Sequence, residues 1–490
     1  MSSFSTLNTA LTALNAQRQA IDITGQNLAN VKTAGYTRQR VSLTALPATS
    51  PATLSSGSVI SSGGVRATSV DRLGDAFLEM RLRQTTSSAS SLAQVADAWT
   101  DVEAVLQEPG KEGLSAQLDA FYASWQDVAN NPDNDAVRAT LLQGAQSLVS
   151  KLQESYSSLE THWDTARAQA DTTAIAINTA AARVADLNQQ ITAITASGGS
   201  ANELIDQRAT LLVTLAGLAG AETATRSDGS VDVMVGGNAL VRGTTVHEVR
   251  VVGTRDFASA SDAPSATNPL GSGPVRLVWS EDTDHVITMS GGTLDGLLQV
   301  MSAQGPLATT AADYNAIAAQ LASHADDSLA GVTLDTATSI NQMHRLAYQT
   351  DGTTAGGAFF QLDTSLTGKP AVMQLTVAVG SASQIAVAEP GMGGADAHVA
   401  DRISRLTDTT DAWAAAVATI GVQSSRAQAL AGTSETSRAS AEQQLLAGTS
   451  VDEAEETMNL IAYQRAFQSA ARLTSTIDEM LDTLINRMAQ

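Results

Sequence analysis

The chain has 490 residues, enough for two to four domains, and it carries 50 acidic against 28 basic side chains, a formal net charge of −22. This excess of negative charge argues against nucleic acid or an anionic membrane surface as a partner. Aromatic residues make up only 4% of the sequence and cysteine is absent, so thin, closely packed helical rods are expected rather than one bulky core.

The amino-terminal helix is predicted from an apolar stripe that recurs at alternating steps of three and four residues. The stripe consists of Phe4, Leu7, Leu11, Leu14, Ile21 and Leu28, with Arg18 and Gly25 as its interruptions. One helix cannot hide such a stripe from water, and an isolated helix is marginally stable because nucleation is costly. The stripe therefore needs a partner, either a second terminal helix or the surface of an ordinary globular core.

The segment after this helix carries a compact group of turn-forming residues. It contains Asn27-Leu28-Ala29-Asn30, then Thr33, then Gly35-Tyr36. Asn30 can end a helix because Asn tolerates the left-handed conformation, and Gly35 supplies a turn that a side chain would obstruct. Residues 37–43 then alternate loosely between polar and apolar, as a short strand would. On these features alone the segment could be a plain helix-to-strand connector.

The middle of the chain is predicted to be mainly helical with small strand-rich inserts. Helices are expected over 71–106, 114–129, 136–196, 202–218, 294–348 with a break at Gly305-Pro306, and 395–447. Strands are expected over 231–235, 240–241, 246–252, 275–279, 286–289, 372–379 and 385–387. Residues 45–69 are expected to be an irregular linker with one short strand at Val59-Ile60.

The carboxyl-terminal helix is expected from 451 to 488, and Ser450 with Glu453 has the form of a capping box at its start. Its apolar stripe also alternates steps of three and four, as a coiled-coil seam does. The stripe contains Leu460, Tyr463, Phe467, Ala470, Thr474, Ile477, Leu481, Leu484 and Met488. Two unsatisfied stripes, one at each end of the chain, need each other or need neighbours.

Catalytic and ligand-binding patterns are not found in the sequence. The six histidines are scattered, and none has metal-ligand spacing from another histidine or from a carboxylate pair. Dinucleotide and phosphate loops and a serine elbow are likewise not found. No enzyme activity, metal or cofactor is therefore expected. The amino terminus lacks the pattern of a cleaved signal peptide, and no apolar run approaches about eighteen residues.

Both ends of the chain resemble a known family. The run Asn27-Leu28-Ala29-Asn30, with Thr33 and Gly35-Tyr36 after it, resembles the signature of the flagellar axial proteins of rod, hook and hook-associated junction. Residues 458–468 and 478–484 resemble the terminal helix of the same family. Within the family, the run from Gly35 to Gln39 and the long helical middle most resemble the hook-associated proteins that join hook to filament.

The resemblance implies a structural, non-enzymatic subunit of the bacterial flagellum that forms the junction between hook and filament by polymerising through its terminal helices. The motif residues are then Asn27, Leu28, Ala29, Asn30, Thr33, Gly35 and Tyr36. The predicted assembly interface consists of Leu7, Leu11, Leu14, Ile21, Leu28, Leu460, Phe467, Ile477, Leu481 and Leu484. Both ends are expected to be largely disordered in the free chain and to fold on joining the tube.

The resemblance also implies partners and a location. The expected partners are copies of the chain in a ring or tube, the hook protein, the next hook-associated junction protein, and a cytoplasmic export chaperone on the carboxyl-terminal helix. Nucleic acid and membrane insertion are not expected. The chain would reach the extracellular flagellum through type III export without a cleaved signal peptide, and a chain without thiols suits that route.

The predicted fold is mainly α with small β inserts: paired terminal coiled-coil helices, an elongated helical rod domain and strand-rich outer pieces. The assembly domain is expected to comprise 1–44 with 448–490, the rod domain 45–220 with 290–350 and 395–447, and the small pieces 221–289 and 351–394. Two alternatives remain open. A hook or distal-rod protein would have a strand-rich middle, and a secreted coiled-coil adhesin would bind host cells or matrix.

Overall fold

The computed structural model describes residues 3–46, 63–260, 262, 265, 267, 268, 270–393 and 395–488. Within the terminal helices, side chains are described from Thr6 onward at one end and up to Thr483 at the other. Long helices dominate, and small antiparallel sheets are inserted between them. The mainly α fold with small β inserts that the sequence predicts is confirmed.

The helices follow the predicted periodicities closely. Numbered in chain order they are α1 Ser3–Ala29, α2 Ala76–Leu106, α3 Leu114–Asn130, α4 Asp135–Ala196, α5 Asn202–Ala219, α6 Thr293–Val300, α7 Pro306–Leu321, α8 Ile340–Leu346, α9 Ala371–Gln374, α10 His398–Ser404, α11 Asp408–Thr449 and α12 Glu453–Met488. The break predicted at Gly305 is real because Pro306 opens α7, a position that needs no backbone N–H donor. In α4 the leucines at 141, 148, 152 and 159 are fully buried along one face.

The strands form four small antiparallel sheets within the described residues. They are β1 Gln39–Leu46, β2 Gly64–Arg72, β3 Glu222–Thr225, β4 Val231–Val235, β5 Asn238–Arg242, β6 Thr245–Val246, β7 Val249–Val252, β8 Arg276–Trp279, β9 Phe360–Leu362 and β10 Leu375–Val377. β1 pairs with β2, β7 with β8 and β9 with β10, while β3 to β6 form one meander in sequence order. The alternation of valines in β4 places Val231, Val233 and Val235 in the core.

Several predicted strands and two predicted helices differ from the structure. The helix predicted over 395–447 is divided into α10 and α11, and residues 385–387 do not form a strand. Residues 286–289 make only one bridge, from Val286 to Val278, and 372–379 divide into α9 and β10 because Pro370 starts a helical turn. The helix predicted over 294–348 is interrupted by irregular backbone from 322 to 339. β2 lies in the segment predicted to be a linker, where it completes a hairpin with β1. Val59-Ile60 lies outside the described residues.

The start of the last helix also differs from the prediction. The cap is Asp452 and not Ser450, because the Asp452 carboxylate accepts hydrogen bonds from the Ala454 and Glu455 amides at 2.9 and 3.0 Å. Ser450 is instead bonded through its amide to the Leu446 carbonyl at the end of α11. An acidic cap suits this position, since the helix macrodipole favours negative charge at its amino end.

The chain divides into two compact units. Unit 1 comprises Met1–Thr86, Thr179–His247 and Glu435–Gln490, and unit 2 comprises Ser87–Asn178 and Glu248–Ser434. Unit 1 holds both chain ends, the β1–β2 hairpin and the sheet from β3 to β6. Unit 2 holds the aromatic core, in which Trp125 and Phe359 pack with ring centroids 5.0 Å apart. The predicted division into an assembly domain, a rod domain and two inserts stays a prediction.

Candidate assembly interface

The face of α1 that the chain itself buries is made of small and polar side chains. Ala10, Ala16, Ala20, Thr24 and Asn27 are each at most 4% exposed. α1 packs mainly against α12, with further contacts to β1 and β2. Small side chains let two helices approach closely, so this face makes a tight contact that needs no large apolar residue.

The predicted aliphatic stripe of α1 lies beside that buried face and not on it. Leu7, Leu14, Ile21 and Leu28 are half-buried, and Leu11 is 45% exposed. The reason is the helical geometry: a face centred on Ala20 and Thr24 is turned away from one centred on Leu14 and Ile21. The single chain therefore leaves its largest terminal aliphatic side chains incompletely covered.

The stripe of α12 is covered to different degrees along its length. Ile477 is buried at 1% exposure, while Leu460, Phe467 and Leu481 are half-buried. The side chain of Leu484 lies outside the described residues. A second apolar set on α12 lies outside the predicted stripe, and its members are 43–65% exposed. It consists of Met458, Ile461, Leu473 and Met480.

The motif after α1 is held by the side chain of Asn27, which lies in the last turn of that helix. Its Oδ1 accepts hydrogen bonds from the Tyr36 hydroxyl at 2.9 Å and from the Gln39 amide at 3.0 Å. Its Nδ2 donates to the Gln39 carbonyl at 2.8 Å and to Glu456 Oε2 at 3.0 Å. A carboxamide has two donor protons and two acceptor lone pairs, so the capacity of Asn27 is fully used.

Glu456 is the partner of the motif in α12, and Arg38 joins them. Glu456 is 2% exposed, and its Oε1 accepts from Arg38 Nε at 2.8 Å. The two Nη atoms of Arg38 donate to Glu455 at 3.1 and 2.7 Å. Hydrogen bonding to Glu455 is the main reason that the pKa of Arg38 is raised above its ordinary value. A buried carboxylate is stable here because an amide and a guanidinium both donate to it.

The turn between α1 and β1 depends on Gly35 and Tyr36. Gly35 has φ of +80°, and a Cβ added there would lie 2.7 Å from Thr210 Oγ1, so only glycine fits without strain. Tyr36 is half-buried, and its burial, followed by the nearby carboxylates of Asp206 and Glu203, raises its pKa to about 12. Its hydroxyl therefore stays protonated and remains a donor to Asn27 throughout the physiological pH range.

The first part of the motif ends the helix at the predicted place, but Asn30 does not adopt the left-handed conformation that was expected of it. Asn30 Nδ2 donates to the Gln26 carbonyl at 3.0 Å, and Thr33 Oγ1 donates to Asn30 Oδ1 at 3.1 Å. The Thr33 amide also donates to the Asn30 carbonyl at 2.9 Å, which satisfies a carbonyl that the helix end leaves unpaired. The Leu28 side chain is half-buried and Ala29 is exposed, so these two residues continue the helix without joining the hydrogen-bond network around Asn27.

Helix α5 anchors the segment that follows the motif. Asp206, which is 6% exposed, accepts from the Thr37 amide at 3.0 Å and from Arg72 Nε at 2.5 Å. Asn202 donates to Gln39 Oε1 and to the Val70 carbonyl, both at 2.9 Å. No local sequence pattern marks Asp206 or Asn202, because polar residues on a helix are expected to be solvent-exposed until the hairpin that covers them is known.

Across the part of the chain that the structure describes, no three His, Asp or Glu side chains are grouped closely enough to hold a metal ion. Among the same residues, no helix combines the length and apolar character needed to cross a membrane.

Three family descriptions match the chain. Residues 99–360 match "Flagellar hook-associated protein FlgK helical domain", which is more than half of the chain. The chain belongs to the FlgK family. Residues 442–488 match "Flagellar basal body rod FlgEFG protein C-terminal", and residues 7–37 match "Flagella basal body rod protein". The last two matches contain α12 and the motif, the two places where the sequence showed its resemblance.

Relatives of the FlgK family cover the chain to different extents. Flagellar hook-associated protein 1 of Bacillus subtilis is 28% identical over 524 residues, covering 99% of both chains. The protein of the same name from Escherichia coli is 26% identical over 76% of this chain and 62% of its own. The flagellar hook junction protein FlgK from Burkholderia pseudomallei, a solved structure, is 25% identical, with a TM-score of 0.45 over 57% of this chain and 46% of that one.

Membership in the FlgK family confirms the predicted family and function. The chain is a structural protein of the bacterial flagellum, a hook-associated protein of the hook–filament junction. The helical middle contradicts the alternative of a hook or distal-rod protein, which required a strand-rich middle.

Proposed function

We propose that the chain builds the hook–filament junction by polymerising with copies of itself through α1 and α12. The observation that carries this proposal is the half-covered aliphatic stripe of α1, with Leu11 45% exposed. Complete burial of a leucine or isoleucine contributes roughly 1.5–3 kcal/mol. Neighbouring copies that cover the stripe would gain part of this contribution at each position, repeated around a ring or tube.

The same property accounts for folding that is coupled to assembly. A helix whose large apolar side chains have no complete partner gains little from packing, and its own propensity leaves it marginal. We expect the outer parts of α1 and α12 to gain their full order only when neighbouring copies cover them.

Other partners follow the order in which the flagellum is built. Beside further copies of itself, the chain would contact the hook protein on one side and the next hook-associated junction protein on the other. The exposed set of Met458, Ile461, Leu473 and Met480 offers α12 as the site of a cytoplasmic export chaperone. The chain would reach the flagellum through type III export without a cleaved signal peptide and act there as a structural subunit.

The proposal is tested by placing one negative charge on the stripe. Leu11→Asp adds a carboxylate at an exposed position of the single chain, so the free protein keeps its fold, but a neighbour would have to bury that charge. Asn8→Asp adds the same charge on the same helix at a position that is exposed and off the stripe. Electron microscopy of appendages, with an immunoblot of flagellin in the medium, reads out junction function.

The two variants are expected to behave differently in a strain that lacks the chromosomal gene. Leu11→Asp should give bare hooks and flagellin shed into the medium, whereas Asn8→Asp should give normal filaments. Normal filaments with Leu11→Asp would contradict assembly through this stripe.

A further inference from the structure

The side chains of Asn27, Arg38 and Glu456 make their hydrogen bonds within the chain. Asn27 uses both donors and both acceptors on Tyr36, Gln39 and Glu456. Arg38 donates to Glu456 and Glu455, and its amide donates to the Thr449 carbonyl at 2.9 Å. Asn27 has no remaining hydrogen-bond capacity, and both Asn27 and Glu456 are at most 2% exposed, so neither side chain can at the same time recognise another molecule.

We propose that Asn27, Arg38 and Glu456 form a terminal lock, which positions the first turn of α12 on the last turn of α1 and holds that joint closed in the free chain. The motif is then an internal joint, while contacts with neighbouring copies belong to the aliphatic stripe. This inference rests on the proposed polymerisation through α1 and α12, and it adds positioning residues to it.

The lock is stable without neighbours because each polar group has its partner within unit 1. Glu456 is bonded on both oxygens, by Asn27 and by Arg38. The Arg38 carbonyl accepts from the Leu73 amide, and the Thr37 amide donates to Asp206. Removing one member leaves the others buried and unsatisfied, which costs more than the bond itself is worth. The lock should therefore open as one unit.

In the free chain the lock separates segments that are ordered before assembly from helical segments that gain their order on assembly. From Asn27 to Gln39 and from Glu453 to Thr457 the backbone should stay ordered before assembly. Residues 6–20 and 464–483 depend on the partly covered stripes and should gain order on assembly. The Gln39 amide reports the closed lock directly, because it donates to Asn27 Oδ1. The Thr37 and Arg38 amides, which donate to Asp206 and to the Thr449 carbonyl, report the backbone on either side of Arg38.

Hydrogen exchange of the free full-length chain tests the lock with two adjacent glutamates. Glu456→Ala removes the buried carboxylate, and we expect exchange to accelerate about tenfold or more at both 37–39 and 453–457. Glu455→Ala removes a carboxylate whose side chain is 51% exposed, and we expect acceleration of less than about threefold. Equal effects of the two variants, or no change with Glu456→Ala, would overturn the lock.

A second variant keeps the test valid if Glu456→Ala unfolds unit 1. Asn27→Asp replaces the Nδ2 donor, 3.0 Å from Glu456, with an oxygen. Two carboxylates this close repel each other when both are ionised and share a proton at lower pH. Charged and titratable groups that face this position are Tyr36, Arg38, Glu203, Asp206, Glu455 and Glu456.

The expected signature of Asn27→Asp is a recovery on acidification. At pH 7 its exchange at 37–39 should be about tenfold or more faster than in the natural chain. By about pH 5 the difference should shrink, because the single O–H of a protonated Asp can replace the N–H that Asn27 donates to Glu456. Asn27→Asp with Glu456→Gln should lose this pH dependence. A defect that stays constant between these pH values would contradict the lock. Because these measurements use the free chain, they stand apart from the filament assay with Leu11→Asp.

Discussion

The aromatic core of unit 2 and the terminal helices of unit 1 are built on opposite plans. Phe121, Trp125, Phe359 and Phe360 are at most 1% exposed, and their rings make edge-on or tilted contacts with centroids 5.0–6.4 Å apart. The buried face of α1 has alanines in their place, and its leucines stay half-covered. The large side chains of unit 2 are satisfied within the chain, whereas those of α1 are left for contacts that the chain alone does not supply.

This difference indicates which part of the molecule is complete before assembly. Aromatic side chains bury a large area each and give a core its stability. Alanine and threonine contribute little by burial, but they allow α1 and α12 to approach closely and leave the aliphatic stripe uncovered. The terminal helices therefore need the lock to set their position and neighbours to set their stability.

The largest expected effect is a loss of the folding stability of unit 2 in acid, caused by protonation of His344. His344 is fully buried; its Nδ1 donates to the Gly357 carbonyl at 2.7 Å and its Nε2 accepts from the Ala386 amide at 2.9 Å. Burial, with a smaller contribution from nearby Arg138, lowers its pKa from 6.5 to about 4. Between these values the unfolded chain binds a proton that the folded chain does not, so stability falls as the pH falls.

The expected loss amounts to about 3 kcal/mol between pH 6.5 and pH 4, since each pKa unit corresponds to about 1.4 kcal/mol. The measurement is the free energy of urea unfolding of unit 2 at several pH values. His344→Gln keeps a polar side chain without a titrating ring, and the difference in slope between the two proteins isolates this residue. If the unfolding free energy of the variant depended on pH as steeply as that of the natural chain, the buried imidazole would not be the group that destabilises unit 2 in acid.

A smaller effect is expected at two glycines of unit 1 that receive the same substitution. Gly35→Ala should destabilise unit 1 by about 1–2 kcal/mol, because its φ of +80° disfavours a side chain and the new Cβ meets Thr210. Gly25 lies inside α1, and a Cβ added there meets no atom within 4 Å. Gly25→Ala should therefore stabilise the helix by about 0.5–1 kcal/mol.

The comparison is made by urea unfolding followed by circular dichroism. Adding Thr210→Ala to Gly35→Ala should recover only the part of the loss that comes from the steric contact. Effects of the same sign at Gly35 and Gly25 would mean that the turn does not depend on the left-handed backbone of Gly35.

The sequence predicted the helices and the helix end at Asn30 well, because both follow from local patterns. Periodic apolar residues predicted α1, α4 and α12, with ends within a few residues of those in the structure, and Gly35 predicted the turn. β2 was missed because its residues alternate weakly and are stabilised by pairing with β1. A hairpin whose second strand follows a Ser- and Pro-rich segment has no local signal.

The site was predicted only in part, and for a similar reason. The aliphatic stripe and the motif were both found, but the stripe was expected to pack in the seam of the α1–α12 pair, whereas Ala20 and Thr24 occupy the buried face. Glu456 lies among four acidic residues between 452 and 456, and acids are favoured at any helix start, so no local pattern sets it apart. Its role as the buried partner of Asn27 depends on a contact between residues 429 positions apart, which no sequence window contains.

The most direct test of the account is thiol labelling of Leu11→Cys in the assembled junction. The natural chain has no cysteine, so one introduced thiol reports one position, and Ser227→Cys at an exposed turn controls for access of the reagent. We predict that Leu11→Cys reacts readily in the free chain and at least about tenfold more slowly in isolated junctions, with Ser227→Cys reactive in both. Equal reactivity of Leu11→Cys in free and assembled protein would contradict the claim that neighbouring copies cover the stripe.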